Sequence, residues 1–210
     1  MTLLIDNKAI YLHIPKTGGT WFRNAIQRSR IPYQEIALTH NHFPAILAEK
    51  PNGFYDDKFI FTFVRHPLTW YQSRWSFRMQ HGWQMPHPLD YYCASNNFHD
   101  FVRRAIAFQP TGWVTYKYWL YIDHSPHIHF IGRTETLVRD AITVLKTIGI
   151  QFDEQTFART PRINVSDLSG QNSKAFAKYT PELLQQVLDV EHVAISKYYP
   201  DWPINIDEYT

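Results

Sequence analysis

The segment Pro15-Lys16-Thr17-Gly18-Gly19-Thr20-Trp21 concentrates residues suited to holding an oxyanion. Two adjacent glycines let the backbone curl so that successive N–H groups face one point. Lys16 adds a full positive charge, and the hydroxyls of Thr17 and Thr20 add donors. A helix starting just after the glycines contributes unpaired N–H groups and a partial positive charge. Together these make a cradle for a phosphate or a sulfate. A second candidate is Arg65, in Phe61-Thr62-Phe63-Val64-Arg65-His66-Pro67. It stands where an apolar strand ends, the place at which open α/β sheets bind ligands. Its planar fork suits a phosphate dianion, and Ser73, eight residues on, can add a hydroxyl.

The order of residues in the first loop excludes one chemistry. A nucleoside-triphosphate loop reads G-x-x-x-x-G-K-[ST], with the lysine after the glycines and a hydroxyl that holds magnesium. Here the lysine comes first, which argues against a kinase or an ATPase. A hydroxyl acceptor would need a base near neutrality, and histidine is the natural choice. Among 11 histidines, His40 and His42 stand out, in Leu38-Thr39-His40-Asn41-His42-Phe43 between the two candidate segments. Such a pair can also be half of a metal site, but no third ligand stands at a recognisable spacing. His127 and His129 read as strand residues, one of them buried. His66 shapes the turn at Arg65, and His13 flanks the loop.

Taken in this order, the two motifs resemble those of the sulfotransferases that use 3′-phosphoadenosine 5′-phosphosulfate (PAPS). Their 5′-phosphosulfate loop is P-K-[ST]-G-[GT]-T-[WS] after the first strand, and PKTGGTW fits it at every position. The resemblance implies that Lys16 contacts the bridging oxygen and the transferring sulfuryl group, while the amides of Thr17, Gly18, Gly19 and Thr20 hold the 5′-phosphate. It puts Trp21 against the adenine, with plain packing as the other reading. The family's [VI]-R-[DHN]-P element, with a serine at the same spacing, implies that Arg65 and Ser73 hold the 3′-phosphate. Ile131-Gly132-Arg133-Thr134-Glu135 is similar to the family's IG-x-x-E turn and reads as mainly structural. Pro161 to Ser166 is similar to the C-terminal loop that closes over the 3′-phosphate, which makes Arg162, Asn164 and Ser166 further contacts. In the uronyl 2-O-sulfotransferases an H-x-H element occupies the interval between the motifs, and its second histidine is the base. His42 takes that position and His40 the first. PAPS is then the cosubstrate and PAP the product, with no metal.

Positioning these residues needs strands and helices in alternation, which argues for a parallel sheet flanked by helices. Lys8 to Ile14 reads as a buried first strand, Lys58 to Val64 as the second, and His127 to Ile131 as a third core strand. Helices are expected over Thr20 to Arg28, from Pro67 to about Met79, and over Thr134 to Ile148 with Gly149 as its stop. A last helix opens at Thr180-Pro181-Glu182 and carries Leu183, Leu184, Val187, Val190 and Ala194 on one face. His81 to Asn97 reads as a loop or lid, and Asp153 to Asn172 as a long loop. The expected architecture is one α/β domain over residues 1–210, with a central parallel sheet of four or five strands and a P-loop-like sulfotransferase fold.

Composition narrows the partners. A formal charge of +2 leaves no basic stripe to track a nucleic-acid backbone. The single cysteine, Cys93, allows no internal disulfide and no cysteine zinc cage. No signal peptide or membrane helix is visible, so a cytoplasmic protein is expected, with a lumenal domain as the alternative. His81 to Tyr92 and Phe108 to Tyr121 are rich in aromatic residues and read as acceptor walls. Such walls suit sugars, phenols and lipid-linked glycans alike, and the resemblance favours a saccharide hydroxyl. A small phenolic or aliphatic alcohol is the alternative acceptor. A phosphoryl-transfer enzyme and a non-catalytic PAP binder are the rival functions.

Overall fold

The computed structural model describes residues 2–37, 53–125, 128–161, 176–203 and 209–210. Its sheet has five strands: β1 (Thr2–Ile5), β2 (Ala9–Leu12), β3 (Tyr33–Ala37), β4 (Phe59–Val64) and β5 (Ile128–Arg133), in the order β3-β1-β2-β4-β5. The helices are α1 (Gly19–Arg28), α2 (Pro67–His81), α3 (Pro88–Tyr92), α4 (Phe98–Phe108), α5 (Trp113–Tyr118), α6 (Leu137–Thr147), α7 (Glu154–Ala158), α8 (Pro181–Val190) and α9 (His192–Tyr198). A wide helical turn, Trp119–Asp123, follows α5, and a 3-10 turn, Thr134–Thr136, precedes α6.

The expected α/β architecture is present, but the sheet is mixed rather than parallel throughout. β2, β4 and β5 run parallel, whereas β1 is antiparallel to both β2 and β3. The connection from β1 to β2 is too short for a crossover, so it can only make a hairpin. Asp6 and Asn7 turn it with φ of 47° and 52°, and the Lys8 N–H closes it on the Ile5 carbonyl at 2.9 Å. This is the positive-φ turn that suits the right-handed twist of paired strands.

β1 and β2 are buried at every position and β4 at all but its first, as expected for strands covered on both faces. β5 differs from the expected core strand. It lies at the edge of the sheet, with His129 and Ile131 exposed. His129 is therefore not a buried histidine. Its Nδ1 accepts the Ile60 N–H at 3.0 Å, where the β4–β5 register shifts, so the imidazole takes the place of a ladder carbonyl. His127 lies outside the described residues.

The packing divides into two compact units: Met1–Arg65 with Tyr118–Ile163, and His66–Lys117 with Asn164–Thr210. The first contains the sheet. α1 lays Trp21, Phe22, Ala25 and Ile26 on one sheet face, against Tyr11, Phe61 and Phe63. Ala141, Val144 and Leu145 of α6 and Phe157 of α7 complete that layer. The segment expected to be loop from Asp153 thus begins with a helix, because the Asp153 carboxylate caps it by accepting the Gln155 and Thr156 N–H groups.

The second unit is helical. His66 caps α2 by accepting the Leu68 N–H on Nδ1, Asn97 caps α4, and Thr180 caps α8 with Pro181 following. The expected lid contains α3, whose Leu89 and Asp90 are buried. The last helix, expected to carry Leu183 to Ala194 on one face, instead breaks at Glu191, between α8 and α9. The buried Glu191 carboxylate turns inward and caps α5, 77 residues away in sequence. It accepts the Val114 N–H at 2.9 Å, the Thr115 N–H and hydroxyl at 2.8 Å, and the Tyr71 hydroxyl at 2.7 Å. Burial pushes its carboxyl above the usual range, and these four donors oppose that. No helix among the described residues is long and apolar enough to cross a membrane.

Glu191→Ala would leave these donors buried without an acceptor. It is expected to cost about 3 kcal/mol of stability in urea unfolding, with Glu191→Gln recovering part of the loss.

Candidate functional site

The site forms where the parallel strands of the first unit end. β2 and β4 are neighbours, so the loops that leave their C-terminal ends emerge side by side. The loop after β2 is held by backbone geometry. Lys16 has φ of +72° and Gly18 of +89°, both in the left-handed region. Lys16 is no glycine, so its conformation carries strain that its surroundings must offset. Thr17 contributes by donating its buried hydroxyl to the Ile14 carbonyl at 2.7 Å. That hydroxyl staples the loop rather than pointing at a ligand, which corrects the expectation that it serves as a free donor.

Gly18 is favoured by its left-handed backbone and Gly19 by the close approach of a ring. A Cβ at Gly18 would run into the Leu137 side chain, and one at Gly19 would overlap the His13 ring. His13 is thus buried against the loop and shapes it. Gly18 precedes α1 without a side-chain cap, and no acid stands in the first turn. The first-turn N–H groups of α1 therefore keep their donor capacity for an incoming anion. Thr20 is half-buried in that turn.

Trp21 is a core residue, only 5% exposed. Its ring meets the Phe157 edge at 5.5 Å, and its indole N–H donates to the Thr160 carbonyl at 3.1 Å. These contacts agree with the packing reading.

Arg65 follows β4 directly. Its Nη1 donates to the Lys16 carbonyl at 3.3 Å, so the two motifs meet. The Arg65 backbone is clamped by the Tyr118 hydroxyl, which accepts the Arg65 N–H at 2.7 Å and donates to the Arg65 carbonyl at 2.5 Å. One residue earlier, the Thr134 hydroxyl donates to the Val64 carbonyl at 2.9 Å. The turn after β5 is tied by Asp140, which accepts the Arg133 N–H at 2.8 Å and the Thr136 hydroxyl at 2.7 Å. Gly132 allows this approach, because a Cβ there would stand 2.6 Å from the Phe63 ring. Both observations support a structural role for this element.

The structure therefore brings together Lys16, Thr17, Gly18, Gly19, Thr20 and Arg65. Ser73 lies in the second unit, half-buried on α2. His40, His42, Arg162, Asn164 and Ser166 fall outside the described residues. Among the described residues no group of three or more His, Cys, Asp or Glu could hold a metal. Tyr118 is the functional residue that sequence reasoning missed. Its partner lies 53 residues away, and no local pattern signals a hydroxyl that clamps a distant backbone.

Tyr118→Phe removes the clamp on the part-buried Arg65 N–H and carbonyl. It is expected to cost about 1–3 kcal/mol, read from the shift of the urea midpoint.

Compared with curated proteins and with solved structures, the chain matches none. A family model described as "Sulfotransferase family" matches residues 3–192, nearly the whole chain. Matched by that model over most of its length, and with an arginine joined to a glycine-containing loop at the ends of neighbouring parallel strands, the chain belongs to the sulfotransferase family, whose chemistry is sulfuryl transfer to an acceptor.

Proposed function

We propose that this protein transfers a sulfuryl group from PAPS to a hydroxyl of a carbohydrate, with His42 as the general base. The observation that carries this reading is the contact from the Arg65 guanidinium to the Lys16 carbonyl. It puts the planar Arg65 fork beside a loop in which a Cβ at either glycine would collide with a neighbour, an arrangement that supports a phosphate-binding reading. The residues present thus fit a ligand with oxyanions at two places.

PAPS supplies the sulfuryl group, which passes from a phosphate oxygen to the acceptor oxygen by in-line displacement. The amides of Thr17 to Thr20 hold the 5′-phosphate, and Arg65 holds the 3′-phosphate through its planar fork. Lys16 stabilises the negative charge that builds on the leaving phosphate oxygen, often the largest contribution in such chemistry. His42 takes the acceptor proton, worth roughly 10²–10⁴-fold. Trp21 anchors α1 from the core side. The acceptor is assigned to the saccharides because His40 and His42 match the H-x-H element of the uronyl branch.

Calorimetric titration with PAP, with ADP and with ATP plus magnesium tests the cofactor. Tight PAP binding and weak ADP binding are expected, and preference for ATP with magnesium would overturn the reading. Lys16→Ala is expected to lower turnover far more than PAP affinity, and unchanged turnover would remove the leaving-group role. Arg65→Ala is expected to weaken PAP binding at least tenfold, a loss of about 1.4 kcal/mol or more. His42→Ala is expected to lower kcat about 10²-fold or more with PAP affinity intact.

A further inference from the structure

The two aromatic segments, His81 to Tyr92 and Phe108 to Tyr121, supply a run of neighbouring rings in the second unit. Tyr92, 59% exposed, stacks on Phe108, 38% exposed, with centroids 4.9 Å apart and planes at 19°. Phe108 stands 5.9 Å from Trp113, and Trp113 stands 6.1 Å from His87. The outer end of this run is an exposed ring surface. The inner end is cationic. Lys117 Nζ lies 5.3 Å from the Trp113 ring centroid. Behind His87, Arg74 and Arg78 share one buried carboxylate, that of Asp90, at 2.5 Å and 2.6 Å. Asp90 also accepts the Gln84 N–H at 3.1 Å. Arg74 Nη2 donates to His87 Nδ1 at 3.1 Å, so that ring nitrogen is an acceptor.

Two guanidiniums on one carboxylate leave a net positive charge in a poorly solvated place. Two neighbouring groups register that potential. Burial first, then Arg74 and Lys117, hold His87 down to about 4. Burial first, then Arg74, brings Lys117 down to about 8. A site of this sign beside open aromatic faces is complementary to an anion attached to a ring.

We infer that Tyr92, Phe108 and Lys117, with the buried Trp113 packed between Phe108 and Lys117, form a subsite for an acceptor that carries a carboxylate or sulfate on a ring with an apolar face. The exposed rings cover the face of the ligand ring, and Lys117 takes the oxyanion in the field of the Arg74–Arg78 pair. Glu191 positions this subsite by capping the helix from which Trp113 and Lys117 project. That the ligand is an acceptor rests on the sulfotransferase reading, but binding at the subsite does not.

The test titrates the full chain with three p-nitrophenyl β-D-glycosides: the glucuronide, the glucoside 6-sulfate and the neutral glucoside. At least one anionic glycoside is expected to bind about tenfold or more tighter than the neutral one. Whichever does so identifies the oxyanion. Lys117→Met is expected to bring the anionic ligands to the neutral level and Lys117→Arg to restore the preference. Tyr92→Ala should weaken all three by a similar factor. Equal wild-type affinities, or a preference unchanged in Lys117→Met, would overturn the inference. Should Lys117→Met fail to fold, the wild-type comparison still decides. PAP titrated in parallel separates the two readings. PAP binding without charge discrimination sinks only the subsite. Discrimination without PAP binding sinks only the cofactor assignment.

Discussion

The bond from the Arg65 guanidinium to the Lys16 carbonyl organises the candidate site, because it joins two loops that chain connectivity keeps 49 residues apart. Each loop is first prepared by its own strand. β2 delivers the loop of Lys16, β4 delivers Arg65, and parallel pairing makes the two ends neighbours. Arg65 can then reach the Lys16 carbonyl only if Lys16 holds its left-handed backbone, an arrangement that a lone loop would abandon. The Thr17 staple and the close fit of Leu137 and His13 over the glycines hold it there. What emerges is a loop conformation held by several short-range contacts rather than by one strong one.

Satisfaction of buried polar groups from a distance is a common thread in both units. In the first, Tyr118 completes the hydrogen bonds of the Arg65 backbone, and Asp140 those of the turn after β5. In the second, Glu191 receives the N-terminus of α5 and the Tyr71 hydroxyl. A carboxylate is costly to bury, so it persists only where donors surround it, and a helix N-terminus supplies several at once. The same accounting explains why Glu191 interrupts the last helix: its side chain serves α5 instead of solvent.

Several expectations from sequence met the structure unevenly, for identifiable reasons. The helix from Pro67 and the strand ending at Val64 were legible because proline, periodicity and apolar runs act within a few residues. β1 and β3 went unread, since four or five residues carry too little pattern, and the antiparallel half of the sheet was missed with them. β5 looked like a core strand from its apolar letters, yet its place at the sheet edge exposes every second residue. Trp21 was open to an adenine contact or to packing, and the fold buries it beside Phe157 of α7.

Local order in the chain was enough to specify the cradle. Two glycines after a strand and before a helix favour a left-handed turn into that helix, because backbone sterics act between neighbours. The family and its sulfuryl chemistry were legible for the same reason. Which side chains close around that cradle was a matter for the folded molecule. Tyr118 and Leu137 act on residues far from them in sequence, and their roles exist only once strand order and helix packing bring them into reach. Hydrogen bonds and van der Waals contacts fall off within a few ångströms, so no spacing along the chain can announce them.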